Sequence, residues 1–257
     1  LDKWPTMTKR ELGPISYDMV SRDKEPPQLS MCMIARDNER TIEQALLSVH
    51  PWVDEMIVVD TGSTDRTPEI AERCGARVER FEWCDDFAAA RNASLRHATG
   101  DWLFWMDSDD TITEENGRKL RALPASDDAQ RVHGFVLQVH CGSDDAQGKT
   151  VVDHVKMVRN LPEIRFEGRI HEQVLPSIRR IGGEVGWTDI YVNHSGADYS
   201  QEGQAKKLER DLRILSQDLT ERPSHPFVLF NLGMTHANAG NCQQATDYLL
   251  RSIAVSD

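Results

Sequence analysis

The sequence predicts an α/β fold, a mostly parallel sheet flanked by helices, followed by an all-helical C-terminal segment. Three observations carry this. Apolar runs at Leu29–Ala35, Glu55–Asp60 and Trp102–Met106 read as strands buried on both faces, with helical periodicity in the segments between them. Each run breaks off in polar or acidic residues, as strands do where a parallel sheet opens into a crevice. From Gln201 onward, apolar residues recur at helical spacing.

Residues 1–28 show no sustained periodicity and carry prolines at 5, 14, 26 and 27, so they read as an N-terminal lead-in. Leu29–Ala35 predicts the first core strand. It stops at Arg36-Asp37-Asn38-Glu39, and Thr41 opens a helix with Ile42, Ala45, Leu46 and Val49 on one face, ended by Pro51. Glu55–Asp60 predicts the second strand. Gly62 then permits a tight turn, Ser63, Thr64 or Asp65 can cap a helix starting near Pro68, and Gly75 ends it. Residues 77–81 give a short third strand, and residues 87–98 an alanine-rich helix carrying Arg91 and Asn92. After Trp102–Met106, residues 135–140 and 150–159 predict two strands around a Gly/Asp turn, and residues 187–194 a last one. Ala205, Leu208, Leu212 and Leu215 then mark an amphipathic helix. Residues 225–257 fit one tetratricopeptide-type helical hairpin, with Leu229, Leu232-Gly233, His236, Gly240, Ala245, Leu249 and Ser252 at that repeat's spacing. The expected division is 1–28 lead-in, 29–199 α/β domain and 200–257 helical segment, the start of a longer repeat array.

With 39% hydrophobic and 28% charged residues, a chain of 257 residues can bury a real core as one domain plus an appendage. Its 30 basic and 42 acidic residues give a net charge of −12, which argues against a nucleic-acid or anionic-membrane binder. A phosphate-bearing ligand therefore needs local cations. The five cysteines are scattered with no CxxC pair and read as reduced thiols, and no signal peptide or transmembrane run is visible, so a cytoplasmic protein is expected.

The chain is organised around Trp102-Leu103-Phe104-Trp105-Met106-Asp107-Ser108-Asp109-Asp110. Three carboxylates in four positions at a strand end repel one another unless a positive charge sits among them. A divalent cation is the first candidate, since Mg²⁺ and Mn²⁺ prefer carboxylate oxygens. The rival reading is an acidic loop capping a helix that starts near Thr113.

Four segments in order, SMCMIARDNE, IVVDTGSTDRT, AAARNASLRHATGDW and WMDSDD, resemble family-2 glycosyltransferases of the Rossmann-like GT-A fold, most strongly over residues 29–112. FEGRIHEQV and YVNHSG resemble the bacterial subgroup with C-terminal tetratricopeptide repeats, which includes peptide glycosyltransferases; lipopolysaccharide-core enzymes share the first half of the pattern. The resemblance implies an inverting transfer from a nucleotide-sugar donor, commonly a UDP-sugar bridged by Mn²⁺ or Mg²⁺, to a hydroxyl or thiol on a peptide, protein or glycan acceptor. On this model Asp107 and Asp109 are the acids of the DxD motif, with Asp109 the direct metal ligand and Asp107 facing the ribose or sugar. Asp110 would contact the sugar or acceptor. Asp60 would accept a hydrogen bond from uracil, with Ala35, Arg36, Glu39, Arg91 and Ser108 completing the donor site. His194 would be a late metal ligand. Glu172 is the expected base, His171 the second candidate and Asp153 the third. Each has a structural rival: a turn aspartate for Asp60, a surface ion pair for Arg91, a structural histidine for His194, a loop cluster for Arg169, His171 and Glu172.

Two other readings stay open. A nucleotidyltransferase would show a glycine-rich, arginine-containing loop after the first strand, where this chain reads ARDNE. A catalytically inactive nucleotide-sugar-binding or scaffold protein would use its repeats to hold a partner, and the repeats would also allow a homo-oligomer.

Overall fold

The computed structural model describes residues 26–142, 150–196 and 201–256. Most of the expected lead-in, the turn after Cys141 and the expected boundary at residue 199 lie outside the described residues. The first half alternates strand and helix: β1 (Leu29–Ala35), α1 (Ile42–Val49), β2 (Glu55–Asp60), α2 (Thr67–Arg73), β3 (Arg77–Arg80), α3 (Phe87–His97) and β4 (Trp102–Asp107). There follow β5 (Asp110–Thr111), α4 (Glu114–Ala122), β6 (Gly134–Cys141), β7 (Thr150–Arg159), α5 (Leu175–Arg180), β8 (Val185–His194), α6 (Gln201–Glu221), α7 (Pro226–Asn238) and α8 (Cys242–Ala254).

The strands form one sheet in the order β3-β2-β1-β4-β7-β6-β8-β5. β3, β2, β1 and β4 are parallel, as their helical crossovers require. The expected mostly parallel sheet is corrected to a mixed one: β7 runs antiparallel to both β4 and β6, and β8 is antiparallel to β5. The link from Cys141 to Thr150 is too short for a crossover, so β6 and β7 can only form a hairpin.

Side-chain alternation along the strands sets the two faces. Met31, Met33, Phe104 and Met106 pack with Ile42, Leu46 and Ile70 on the face covered by α1 and α2. Cys32, Leu103 and Trp105 pack with Ala88, Leu95, Phe166 and Ile178 on the face covered by α3 and α5. Asp107 lies two residues beyond Trp105 and so shares the α3 face, where Arg91 arrives from the helix. Register aligns the strand ends: Ala35 is opposite Asp60, and Ile34 opposite Asp107. The same pairing rule puts His194 opposite Asp110 across β8 and β5.

The C-terminal helices are not a detached unit. Ile214, Leu215, Val228 and Leu232 form a cluster with Ile170, against which Trp83 and Phe87 pack. α7 and α8 are joined through Ala239-Gly240-Asn241 and tied by the Ser252 hydroxyl, which donates to the Pro226 carbonyl at 2.8 Å. Among the described residues no helix is long and apolar enough to cross a membrane.

Candidate active site

Two loops at the strand ends knit into one shelf. The Asp37 carboxylate accepts from the Thr64 N–H at 2.7 Å, the Thr67 hydroxyl accepts from the Asn38 N–H at 2.7 Å, and the Asp65 carboxylate accepts from the Glu39 N–H at 3.0 Å. Desolvation would raise the Asp65 carboxyl, but the Thr67 hydroxyl and the backbone N–H donors outweigh it and hold it below its usual range. Gly62, at φ +103°, makes the turn that brings the second loop round. Buried Asp60 accepts from the Ser63 N–H at 3.1 Å, so its carboxylate caps its own turn, and Glu39 pairs with Arg66 at 3.2 Å.

A cavity of about 720 Å³ opens beside this shelf. Of the expected site residues, Ala35, Arg36, Arg91, Asp107, Ser108, Asp109 and His194 line it; Glu39, Asp60, Asp110, His171 and Glu172 do not. Sequence reasoning missed Asn38, Thr61, Trp83, Phe87 and the cations of α6 that line the same cavity. Lys207, Arg210 and Arg213 recur there at helical spacing, a stripe visible in the sequence had the polar face of that helix been read beside the apolar one.

The acidic cluster is the electrostatic centre. The Arg91 guanidinium donates to Asp107 Oδ1 at 2.7 Å and to Glu172 Oε1 at 2.5 Å, and its Cζ lies 4.4 Å from the Trp105 ring centroid. Lys156, fully buried on β7, donates to Asp110 Oδ2 at 2.6 Å and lies 3.9 Å from Asp107 Oδ2. His194 Nδ1 is 2.9 Å from Asp110 Oδ1 and 3.4 Å from Asp109 Oδ1. The charge that these acids require is therefore supplied in part by the protein itself. Burial alone would raise the Asp107 carboxyl, yet Arg91 and Lys156 hold it well below the usual range. Asp110 is likewise lowered, its desolvation outweighed by Lys156 and the His194 hydrogen bond. Asp109 moves the other way, pushed up by burial and by Asp107 and Asp110 despite His194. The hydrogen bond to Asp110, with Asp109 and Asp107 nearby, raises His194. Half-buried His154, whose ring stacks edge-on to Trp105, is pushed down to about 4 by desolvation and Lys156.

Two of the expected residues are enclosed by their neighbours. Asp110, expected at the sugar or acceptor, is completely buried with both carboxylate oxygens engaged. Glu172, expected as the base, is paired with Arg91 and has its side chain 12% exposed, while His171 sits on the loop surface at φ +55°.

Ligand atoms of Asp107, Asp110 and His194 lie within 4.8 Å of one another, and Asp109, which lines the cavity where Asp110 does not, has its Oδ1 3.4 Å from His194 Nδ1. Two carboxylates and an imidazole suit a hard divalent cation such as Mn²⁺ or Mg²⁺, so the donor set fits one.

A model of glycosyl transferase family 2 matches residues 30–166. A TPR repeat-containing protein of Synechococcus elongatus is 31% identical over 88% of this chain and 56% of its own length. The glycosyltransferase SunS of Bacillus phage SPbeta is 26% identical over 89% of this chain and 54% of its own. The chain thus spans about half the length of these curated relatives. Among solved structures, the 1–349 segment of S. aureus TarS in complex with UDP-GlcNAc matches with a TM-score of 0.53 at 13% identity, covering 86% of this chain and 90% of that one. Glucosyl-3-phosphoglycerate synthase of Mycobacterium tuberculosis, in complex with Mn²⁺, UDP and glucosyl-3-phosphoglycerate, matches with a TM-score of 0.51 at 19% identity, covering 75% and 80%. At these identities the likeness to the solved structures is one of fold.

Proposed function

The chain belongs to glycosyl transferase family 2, and from that premise we propose that it moves a sugar from a UDP-sugar to a hydroxyl or thiol on a peptide, protein or glycan acceptor, with inversion. The observation that carries this is a cavity lined both by shelf residues and by Asp107, Asp109 and His194. The shelf residues Ala35, Asn38 and Thr61 take the nucleoside, and Asp60 stands at the adjoining strand end. Lys207 and Arg210 line the same cavity and attract a diphosphate that a chain of net charge −12 would otherwise repel.

Asp107, Asp109 and His194 would hold the divalent cation, Mn²⁺ or Mg²⁺. When bound, the cation neutralises the charge that grows on the departing nucleoside diphosphate. Glu172 takes the acceptor's proton, and Arg91, touching both Glu172 and Asp107, fixes the spacing of the base from the donor site. The sugar-transfer reading draws support from SunS, which is named a glycosyltransferase, and the repeat reading of α7 and α8 from the TPR-named relative. In this reading the helices begin a longer array that presents the acceptor, in the cytoplasm.

Calorimetric titration of UDP with Mn²⁺, then with EDTA, tests the proposal. Binding that requires metal, followed by slow hydrolysis of a UDP-sugar, is the expected result. Failure to bind any nucleoside diphosphate would leave the inactive scaffold as the better account.

A further inference from the structure

Lys156 has no part in the reading above, yet it is among the largest fully buried side chains of the protein. Its ammonium sits inside the acidic cluster, 2.6 Å from Asp110 Oδ2, 3.9 Å from Asp107 Oδ2 and 4.0 Å from the Trp105 ring centroid. A lysine is almost never fully buried unless something fixes its charge there. Here the fixing group is Asp110, itself without exposure.

Asp110 is fully committed. Its Oδ2 accepts from Lys156 Nζ and from the Asp107 N–H at 3.1 Å, and its Oδ1 meets His194 Nδ1. A carboxylate only accepts, so His194 carries its proton on Nδ1 and leaves Nε2 as the nitrogen that can ligate. One buried carboxylate therefore sets both the backbone of Asp107 and the ring of His194. Geometry alone places Asp110 within reach of a cation, but the cavity is lined by Asp107, Asp109 and His194 and not by Asp110.

We propose that Lys156 is a positioning residue of the acidic cluster: it braces Asp110 from behind, keeps it out of the cation's ligand set, and through it fixes Asp107 and His194. This rests on the donor-site reading. Without the brace, the freed carboxylate joins the ligands while a neighbouring positive charge is lost. Cation affinity should then rise although the geometry for turnover is spoiled.

The test compares the wild-type chain with Lys156→Met, which keeps length and apolar contact without charge. Mn²⁺ affinity is measured calorimetrically with UDP present, and kcat as UDP release from a UDP-sugar that the wild type hydrolyses. Lys156→Met should bind Mn²⁺ about tenfold tighter or more, by loss of a like charge at short range. Its kcat should fall by about tenfold to a hundredfold, the usual cost of removing an outer support of a metal ligand. Opposite movement of the two readouts is a signature that mere destabilisation does not give. The double variant Asp110→Asn/Lys156→Met, which leaves no buried charge unpaired, should return Mn²⁺ affinity to the wild-type value while kcat stays low.

Unchanged Mn²⁺ affinity in folded Lys156→Met, a joint fall of affinity and kcat, or wild-type kcat in the double variant overturns the brace. Failure of both variants to fold assigns the pair to stability alone and overturns it too. A wild-type chain that takes up no Mn²⁺ in the presence of UDP overturns the donor-site reading, and this inference with it. A wild type that binds, beside a Lys156→Met that binds equally, overturns this inference alone.

Discussion

Replacing Arg91 by Met would leave two carboxylates facing each other with no guanidinium between them. Arg91 is 10% exposed in its side chain, Glu172 12% and Asp107 32%, so the Glu172 contact is close to a fully buried ion pair and the Asp107 contact is partly screened. Removing one partner of a buried pair costs about 3–5 kcal/mol, and the solvent around Asp107 puts this case near the lower end, about 3 kcal/mol. Methionine still fills the space beside Trp105 and Phe166, which keeps cavity costs small. For a chain of this size, about 3 kcal/mol lowers the melting temperature by roughly 6–12 °C. The sign of the pH dependence follows from Asp107. Despite the burial that opposes it, its carboxyl is held below the ordinary value by Arg91 and Lys156. A lowered carboxyl gives stability that is present above its unfolded pKa of about 3.9 and is lost as pH falls toward the folded value. Circular-dichroism melts in EDTA should therefore show a constant gap between wild type and Arg91→Met from about pH 8 to pH 5, narrowing below about pH 4. A gap under about 2 °C at pH 7, or one that widens with acid, would refute the bridge as a stabilising contact.

Four further outcomes are expected. Asp109→Ala should abolish turnover while the melting temperature stays within about 2 °C, because this carboxylate is pushed up by burial and by its acidic neighbours; full metal-independent activity would sink the mechanism. Glu172→Gln should lower kcat by about 10²–10⁴-fold with the donor KM little changed, and an unaffected kcat would remove it as the base. His194 is raised by its bond to Asp110, so the stability it contributes is complete below about pH 6.5 and lost as pH rises through the folded value. Melts in EDTA should show His194→Gln weaker than wild type at pH 6, with the gap closing by about pH 9, and a gap that opens with rising pH would contradict the assignment. Lys207→Glu should weaken UDP binding at low salt, an effect that shrinks at about 1 M NaCl, where the Debye length is about 3 Å; salt-independent binding loss would point to a direct contact instead.

The parallel half of the fold was legible because its signals are local. Leu29–Ala35 and Glu55–Asp60 coincide with the expected strands, and Thr113 caps α4 where a helix start was read. The antiparallel half was less so, since a residue pattern names a strand but not its partner, and β5 is two residues long. In the site, the acidic cluster and Arg91 were visible because charge at the end of an apolar run is conspicuous. Lys156 was not. It is a single lysine in a strand that carries His154 on the same face, and nothing local to it says that Asp110 and Trp105 enclose its ammonium. The cations of α6 were missed for a similar reason: nothing local to Lys207 or Arg210 says which strand ends that helix lies across.

The two arginine and lysine contacts answer different physical problems within a few ångströms. Arg91 offers a planar fork, so it can hold Asp107 and Glu172 at once and fix a distance between the end of β4 and the loop before α5. Lys156 offers a point charge, so it neutralises the fully buried Asp110 with one short contact. Trp105 lies within 4.4 Å of the guanidinium and 4.0 Å of the ammonium, and its indole N–H is tied to the Val155 carbonyl at 2.7 Å. One immobile aromatic ring thus locates both cations, and through them the carboxylates. Replacing Trp105 by an aliphatic residue should therefore disturb the acidic cluster more than the loss of apolar area alone predicts. That ring is the point at which the hydrophobic core of the sheet sets the geometry of the charged end.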